Sequence, residues 1–421
     1  MVIATESVQE VCASAKRAAR TLATLDTAVK NAALEAVATA LEASTRETLD
    51  ANGLDVAAAR ETGISAALID RLTLDRRRIE AMAAGVREIA ALPDPVGELL
   101  EELRRPDGLT IRKIRVPLGV VAVVYEARPN VTIDAAALCL KSGNAIVLRG
   151  STSAAHSNSV LTAIAARAAE SAGVPRGAIA HLSGGHRDEL VELATQSRYV
   201  DLIIPRGGEG LKAALAAHAT VPVIYAASGN CHVYVDAAAD LEQAREIVLN
   251  AKVQRPGVCN AAETLLVHRD VAADFLPVAL AALREAGVEL RGDERTLEYA
   301  AAVEVAPASA ADWDTEYLSL TLAVAVVDSL EDAIGHIAAH GTGHSEAIVT
   351  RDAAAAHRFE LDVDAACVYV NASTRFTDGA EFGMGAEIGN STQKLHARGP
   401  IGLRELCTFK YLVEGDGHVR S

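Results

Sequence analysis

The sequence has no run of apolar residues long enough to cross a membrane. Its first twenty residues mix acidic, polar and basic side chains where a signal peptide has an uninterrupted apolar core. The six cysteines lie far apart without CxxC spacing, which argues against a disulfide scaffold and against a zinc ribbon. These absences predict a protein of the reducing cytoplasm.

Basic charge is also scarce, since 40 Lys and Arg against 56 Asp and Glu give a formal net charge of -16. Nucleic-acid binding depends on clustered Lys and Arg, so this balance argues against a nucleic-acid partner. Aromatic residues make up only 3% of the chain, but half of all residues are apolar and no Pro-rich or Gln/Asn-rich tract occurs. That composition is typical of a globular protein, and 421 residues predict two or three domains.

The order of apolar patterns predicts an α/β fold. The first ninety residues have helical spacing, with Asp26 in position to cap a helix, until Pro93 and Pro95 end the run. Residues 109–116 alternate apolar and charged side chains, as a two-sided or edge strand does. Residues 119–126 are continuously apolar, which predicts a strand covered on both faces.

Two series of short apolar strands alternating with amphipathic helices follow, one from residue 119 to 208 and one from about residue 231 to 372. Such alternation indicates βαβ units in doubly wound parallel sheets. We therefore predict a first domain over residues 1–229, a second over 230–395 and a closing segment over 396–421.

Four polar loops follow strands of the first series, at residues 128–130, 149–152, 183–186 and 205–208. Parallel sheets bind ligands beyond the carboxyl ends of their strands. These loops predict a nucleotide-binding crevice.

Cys259 stands apart from the other cysteines. Pro256 and Gly257 break the chain just before it, and residues 260–263 look like a helical turn. A thiol in the first turn of a helix would meet unpaired N–H groups and the positive end of the dipole, which favour the thiolate. The remaining five cysteines lie inside helix or strand patterns and are predicted to be packing residues: Cys12, Cys139, Cys231, Cys367 and Cys407.

Three long segments carry a family resemblance. They are YEARPNVTIDAAALCLKSGNAIVLRGS (125–151), VQRPGVCNAAETLLVH (253–268) and VDSLEDAIGHIAAHGTGHSEAI (327–348). Together they resemble the aldehyde dehydrogenase superfamily, and more closely its glutamate-5-semialdehyde dehydrogenase branch, over essentially the whole chain. The resemblance implies two doubly wound α/β domains with parallel sheets, the first binding NADPH and the second catalytic, plus a small β oligomerisation arm.

The resemblance also implies catalytic roles. Cys259 matches the nucleophile, and Asn130 matches the asparagine whose side-chain amide forms an oxyanion hole together with the Cys259 backbone N–H. Asn130 has a structural alternative as a turn residue after Pro129.

The expected cofactor is NADPH. Arg149 matches the position of a residue that contacts the adenosine ribose or its 2′-phosphate. Ser151 and Thr152 stand near the place of a carboxylate in NAD-preferring relatives, and an arginine without that acid favours NADPH. Arg149 and Glu316 have alternatives as ordinary surface charges. The full predicted cofactor set is Arg149, Ser151 and Thr152, then Arg206, Gly207 and Gly208 at the pyrophosphate, and Glu316 at the nicotinamide ribose.

One departure from the superfamily is informative. Hydrolytic members carry a glutamate that activates water, whereas residues 226–232 here contain no acid. The implied reaction is therefore the reduction of L-glutamyl 5-phosphate to L-glutamate 5-semialdehyde and phosphate through a Cys259 thioester, the second step of proline biosynthesis from glutamate. The candidates for gripping the substrate's charged groups are left open among Arg128, Lys141, Arg255, Glu126 and Asn371.

Several alternatives accompany this interpretation. His336, His340 and His344 recur every four residues, but glycines break the helix before the third, so no metal ion is expected. No GxGxxG or Walker A string occurs. A coenzyme A-acylating aldehyde dehydrogenase of the same fold would also lack the hydrolytic base, and a non-catalytic scaffold is a third possibility.

Partner proteins are predicted from two segments. A strand at about residues 104–117 and the closing segment 396–421 resemble the arms through which superfamily members pair, which predicts a homodimer or homotetramer. A transient contact with glutamate 5-kinase, the upstream enzyme, is a further expectation.

Overall fold

The structure is a computed structural model that describes residues 6–63, 65–182, 187–225, 228–300 and 303–420. The chain forms two compact units. Unit 1 contains residues 1–225, 383–389 and 401–421, and unit 2 contains residues 226–382 and 390–400. Our sequence-based division at residue 229 lies four residues after this boundary (229 minus 225), and it has no counterpart for the return of residues 383–389 to unit 1.

Unit 1 begins with a layer of helices, as the spacing of apolar residues predicted. Leu34, Val37 and Leu41 recur on one face of the second helix and all are buried. Asp26 occupies the N-cap position of that helix, but its side chain makes no capping hydrogen bond. The helices are α1 (Val8–Leu22), α2 (Thr27–Ala43), α3 (Thr45–Glu61), α4 (Ala66–Leu72) and α5 (Arg76–Ala91).

A three-stranded antiparallel sheet follows, which we call the arm sheet. It contains β1 (Leu99–Arg104), β2 (Thr110–Pro117) and the last strand of the chain, β16 (Cys407–Glu414), in the order β1-β2-β16. The prediction that residues 109–116 form a strand is confirmed, and of its two interpretations, a two-sided or an edge strand, the edge strand is wrong. β2 is the central strand because β1, which the sequence analysis missed, covers one side and β16 the other.

The main sheet of unit 1 has four parallel strands in the order β5-β4-β3-β6. All six residues of β3 are buried, which confirms the strand predicted from its continuous apolar run. The predicted loop at Ser183–His186 lies outside the described residues. The strands are β3 (Val120–Tyr125), β4 (Ala145–Arg149), β5 (Ile179–Leu182) and β6 (Leu202–Arg206), and the helices are α6 (Asn130–Lys141), α7 (Ala155–Ser171), α8 (Arg187–Ala194) and α9 (Glu209–His218).

Unit 2 is built on a seven-stranded parallel sheet in the order β10-β9-β11-β8-β7-β12-β13. β7, β8, β11 and β12 are buried along their whole length, because helices cover both faces of a parallel sheet. The strands are β7 (Cys231–Val235), β8 (Ala262–His268), β9 (Glu289–Gly292), β10 (Ala306–Pro307), β11 (Thr321–Val327), β12 (Ser345–Val349) and β13 (Cys367–Val370).

The helices of unit 2 are α10 (Leu241–Val253), α11 (Arg269–Glu285), α12 (Glu294–Glu298), α13 (Leu330–His340) and α14 (Ala353–Asp362). A short antiparallel pair, β14 (Asn390–Ser391) and β15 (Gly399–Pro400), completes the unit. Across the described part of the chain, no helix combines the length and the apolar character that a membrane span requires.

Candidate active site

Cys259 lies in a turn between α10 and β8 and is half-buried, while the other five cysteines are buried as predicted. The turn is closed by a hydrogen bond from the Ala261 N–H to the Val258 carbonyl at 3.1 Å. The predicted helical turn after Cys259 is wrong, because the chain enters β8 at Ala262, which pairs with Cys231 of β7. Proximity to a helix N-terminus therefore does not explain the chemistry of this thiol.

The Cys259 backbone packs directly against Gly229. A Cβ atom at Gly229 would lie 1.5 Å from the Cys259 carbonyl oxygen, so no other residue fits without moving that segment. The Gly229 N–H donates to Oε1 of Glu316 at 2.7 Å. Glu316, predicted to hold a ribose, thus also fixes the backbone under the nucleophile.

Cys231 supports the same carbonyl from a second direction. Its thiol donates to the Cys259 carbonyl oxygen at 3.1 Å. Burial, followed by the charge of Glu346, raises the pKa of the Cys231 thiol well above its usual range. Cys231 therefore stays protonated as a donor beside the nucleophile.

Asn260 anchors the other end of the turn. Its Nδ2 donates to the Thr377 carbonyl at 2.9 Å, and its own carbonyl accepts from Oγ1 of Thr374 at 2.7 Å. These contacts join the nucleophile segment to residues 374–377, which follow β13 at the carboxyl edge of the sheet. The Cys259 turn is thereby held on both sides.

Arg375 lies in that same segment, and the sequence analysis missed it. Its Nε donates to Oε1 of Gln254 at 2.9 Å. Burial lowers the pKa of Arg375, Arg255 lowers it further, and Asp378 and Cys259 raise it. The guanidinium therefore lies within electrostatic range of both Cys259 and Arg255. The sequence signal that could have identified Arg375 is a basic residue shortly after a parallel strand.

A buried ion pair joins the end of α10 to the start of β8, the two elements on either side of the turn. Lys252 Nζ donates to Oε2 of Glu263 at 2.5 Å, and both side chains are fully buried. Oε1 of Glu263 accepts from the Leu318 N–H at 3.2 Å. Burial raises the pKa of Glu263, and the charge of Lys252 opposes that rise. Glu263 thus fixes the segment that carries Glu316.

In unit 1, Arg149 ends β4 as predicted, and its side chain is only 12% exposed. Its Nε lies 3.3 Å from Oε1 of Glu189 in the first turn of α8. The loop at Ser151 and Thr152 carries no acid, as the sequence shows, but a carboxylate nevertheless accompanies Arg149. The carboxylate comes from a helix distant in sequence, which inspection of the loop at Ser151 and Thr152 does not reveal.

The loops at the carboxyl ends of β3 and β4 are joined through Ser151. Its Oγ accepts from the Ala127 N–H at 3.2 Å and lies 2.7 Å from Oγ of Ser153. Thr152 begins a single 3₁₀ turn before α7. The predicted crevice residues of these two loops thus share one hydrogen-bonded edge.

The loop after β6 leads into α9. A Cβ at Gly207 would lie 2.8 Å from Cδ of Glu126, whereas one at Gly208 would meet nothing within 4 Å. The Gly208 N–H donates to Oε2 of Glu126 at 3.2 Å. The open backbone at this helix N-terminus suits an anion, and a carboxylate interacts with it here. The Arg206 side chain lies against Gly389.

Asn130 is the first residue of α6 and is exposed. Its Nδ2 donates to Oδ2 of Asp134, one turn further along the helix, at 3.0 Å. Cys259 and Glu316 belong to unit 2, whereas Asn130, Arg149 and Arg206 belong to unit 1.

Two of the candidate substrate residues have structural roles. Lys141 is a wrong candidate, because it is fully buried and donates to Oδ1 of Asn31 and to the Ala90 carbonyl. Asn371 uses both ends of its amide on the Thr350 backbone. Glu126 interacts with the N-terminus of α9, as described above. Arg128 and Arg255 are exposed.

The three spaced histidines do not form one site. His336 stacks edge-on with Trp313 and His232 and lies beside His340, while His344 contacts Ser345. Within the described ranges, no group of three or more His, Cys, Asp or Glu residues is placed to hold a metal ion.

The fold and the site together define a class of protein. In unit 2 the Cys259 backbone packs against Gly229, and in unit 1 polar loops lie at one edge of a parallel sheet. The model of the aldehyde dehydrogenase family matches residues 2–304, and the chain belongs to that family. Members of this family use a nicotinamide cofactor.

The chain is 55% identical to the gamma-glutamyl phosphate reductase of Syntrophomonas wolfei, with 99% of both chains covered. It is 58% identical to that of Thermobifida fusca, with 98% of both covered. The crystal structure of gamma-glutamyl phosphate reductase from Thermotoga maritima is 45% identical and has a TM-score of 0.97, covering 99% of this chain and 100% of that one. An acetylating aldehyde dehydrogenase from Geobacillus thermoglucosidasius, at 20% identity and a TM-score of 0.68, shares the fold.

Proposed function

We propose that the chain reduces L-glutamyl 5-phosphate to L-glutamate 5-semialdehyde and phosphate with NADPH, the second step of proline biosynthesis from glutamate. The observation that carries this proposal is the Cys259 turn, held on Gly229, in a chain similar over nearly its full length to gamma-glutamyl phosphate reductases. The same similarity favours an acyl-phosphate substrate over coenzyme A.

The first step forms a thioester on Cys259. The thiol gives its proton to solvent water, the thiolate attacks the acyl carbon, and the carbon–oxygen bond to phosphate breaks as phosphate leaves with the electron pair. Gly229, Cys231 and Asn260 fix the backbone on both sides of the nucleophile. The sulfur therefore needs little reorganisation before attack.

The second step reduces that thioester. When bound, NADPH supplies the hydride that adds to the acyl carbon. Negative charge then develops on the former carbonyl oxygen, where the Asn130 amide and the Cys259 N–H stabilise it. Collapse of this oxyanion breaks the carbon–sulfur bond, releases the aldehyde and restores the thiolate.

The thioester must survive until it is reduced. The stretch 226–232 carries no acid to activate water. Glu263 comes directly after the nucleophile segment, but its two oxygens accept from Lys252 and from the Leu318 N–H. These two contacts give Glu263 a structural role, so the missing acid in 226–232 is what protects the intermediate from hydrolysis.

The residues present fit a nicotinamide dinucleotide. Gly208 at the N-terminus of α9 offers open backbone to a pyrophosphate, and Arg149 would meet the adenosine ribose and its 2′-phosphate. Glu316 keeps acceptor capacity for a ribose hydroxyl beyond its hydrogen bond from Gly229. Ser151 joins the two loops that border this place.

Arg375 and Arg255 are proposed to receive an anionic group of the substrate, because the Arg375 guanidinium lies in electrostatic range of both Cys259 and Arg255. Replacing Arg375 by Gln should raise the KM for the phosphorylated substrate by about tenfold, since a charge-assisted hydrogen bond is lost. Steady-state kinetics provide the measurement. Arg351→Gln, which removes an exposed arginine of unit 2 paired with Asp240, is the matched control. An unchanged KM in Arg375→Gln would remove Arg375 from this role.

The proposed reaction is tested in reverse. Glutamate 5-semialdehyde and NADP are supplied with and without phosphate, and NADP reduction is followed in the wild type, in Cys259→Ala and in Cys12→Ala. We expect phosphate-dependent reduction that disappears in Cys259→Ala and persists in Cys12→Ala, because Cys12 is buried in α1. Reduction that requires coenzyme A in place of phosphate, or that survives without the Cys259 thiol, would overturn the proposal.

The remaining assignments stay predictions. They are the homodimer or homotetramer, the transient contact with glutamate 5-kinase and the cytoplasmic location. The exposed apolar side chains of the arm sheet support the first of these, and its test is argued below.

A further inference from the structure

Asn130 has a partner that the oxyanion role does not use. Its Nδ2 donates to Oδ2 of Asp134 at 3.0 Å, four residues further along α6. Residues four apart on a helix lie on the same face, so this contact is set by the helix itself.

The chemistry of this partner determines which way the amide faces. An ionised carboxylate only accepts hydrogen bonds, so it pairs with the nitrogen of the Asn130 amide and disfavours the flipped orientation. The nitrogen carries two N–H groups, and only one is needed for Asp134. With its orientation fixed, the amide keeps the second N–H as a donor.

The surroundings of Asp134 bear on its charge state. Burial raises the pKa of Asp134 to about 6, while the hydrogen bond from Asn130 and the positive charge of Arg206 act to lower it. Arg206 ends β6 and lies against Gly389. Asp134 therefore accepts from Asn130 and lies within electrostatic range of Arg206.

We propose that Asp134 is a positioning residue for the reaction, which fixes the orientation of the Asn130 amide so that an N–H is presented to the oxyanion. The inference rests on the proposed function. Asp134 should therefore stabilise the transition state and not the bound substrate, because the oxyanion that needs this donor is absent from the ground state.

The test is a double-mutant cycle in the phosphate-dependent reverse reaction. Asn130→Ala should lower kcat by about a hundredfold, as loss of an oxyanion donor does elsewhere. Asp134→Ala should lower kcat by about tenfold or more, with the KM for each substrate within about twofold of the wild type. The double variant should be no slower than Asn130→Ala alone, because Asp134 acts only through that amide.

Two further variants separate positioning from folding. Asp134→Asn keeps an acceptor oxygen but no longer dictates the orientation of its partner, so its kcat should lie between those of the wild type and Asp134→Ala. Asp201→Ala removes another aspartate of unit 1, which binds Lys16 and the Val120 N–H at the amino ends of the strands. That control should lower the melting temperature and leave kcat within about twofold of the wild type.

The outcomes distinguish the inference from the function beneath it. A wild type without phosphate-dependent activity overturns the proposed function and this inference with it. An active wild type together with a fully active Asp134→Ala overturns the inference alone. Losses that multiply in the double variant, or an Asp134→Asn slower than Asp134→Ala, do the same.

Discussion

At the scale of single residues, several contacts fix the backbone beneath the nucleophile. The carbonyl of Cys259 accepts from Cys231 and touches the Cα side of Gly229, while Glu316 holds the Gly229 N–H. A cysteine in a turn is common in sequences, whereas a turn that is supported from several directions gives the sulfur a fixed position. Residue 229 must therefore be glycine if the Cys259 backbone is to keep its position.

Gly229→Ala should abolish most of the activity. The added Cβ would lie 1.5 Å from the Cys259 carbonyl oxygen, so the nucleophile segment must move. A displacement of about 1 Å at a reacting group costs roughly a hundredfold in rate. We expect a kcat loss of about that size in the phosphate-dependent assay.

The control for this change is Gly335→Ala in α13, where an added Cβ meets nothing within 4 Å. It should keep full activity and gain about 0.5–1 kcal/mol in stability, because alanine is the better helix former. Wild-type rates in Gly229→Ala would show that the segment accommodates the methyl group.

In the wild type, the carboxylate of Glu189 should weaken the preference for NADPH over NADH. Its carboxylate lies 3.3 Å from Nε of Arg149, and both side chains are mostly buried. Glu189→Gln removes a negative charge that would oppose a 2′-phosphate near Arg149, so the ratio of kcat/KM for NADPH to that for NADH should rise by about threefold to tenfold. Steady-state kinetics with each cofactor measure this ratio.

Asp188→Asn is the matched control, because Asp188 lies in the same first turn of α8 but is exposed. It should leave the ratio unchanged. If Glu189→Gln shifted both cofactors equally, the 2′-phosphate would have to bind away from Arg149.

At the scale of helices and strands, the sequence predicted most elements because their apolar patterns are local. The continuous apolar run of β3 and the helical spacing in α2 each follow from neighbours within a few residues. β1 was missed because LLEELR has both acidic and basic side chains and all six residues are exposed. Its strand identity comes from pairing with β2, which is a contact between separate segments.

The candidate site was predicted less completely for the same reason. Cys259 and Asn130 stand in recognisable strings, whereas the contact of Glu189 with Arg149 joins residues 40 positions apart (189 minus 149). Lys141 has the same charge as a substrate-binding lysine, and only the packing of α6 shows that it is buried. Sequence pattern gives the identity of reacting groups, while burial and long-range pairing require the fold.

One contact between elements should contribute strongly to stability. Asp55 of α3 accepts from the N–H groups of His156 and Ser157 at the start of α7, at 3.1 Å and 2.8 Å, and from Oγ of Ser157. Asp55→Ala leaves these donors unpaired, and the two from Ser157 are buried, which should cost about 1–3 kcal/mol. The melting temperature measures the effect.

Asp50→Ala on the same helix is the control, because Asp50 is exposed and lies 3.9 Å from Arg46. An exposed pair of this kind contributes little, so its melting temperature should match the wild type. Equal melting temperatures for Asp55→Ala and the wild type would show that water replaces the lost acceptor.

At the scale of the whole molecule, the arm sheet stands out by its exposed apolar side chains. Phe409, Tyr411 and Val413 of β16 are 47%, 57% and 59% exposed. Because side chains two apart on a strand share a face, these three form one apolar row. β16 is an outer strand of its sheet, and an outer strand with an apolar row invites pairing with another chain. A second copy of this chain is the expected partner.

The double variant Tyr411→Glu with Val413→Glu should dissociate the predicted homodimer or homotetramer. Two carboxylates in the middle of an apolar interface would be desolvated without partners, which is strongly unfavourable. Sedimentation velocity should show the mass falling to that of one chain, 43.9 kDa. Lys410→Glu is the control, because Lys410 points to the opposite face of β16, so its mass should equal that of the wild type. A double variant that keeps the wild-type mass would move the interface away from β16, and a wild type of 43.9 kDa would leave the apolar row without a second copy to cover it.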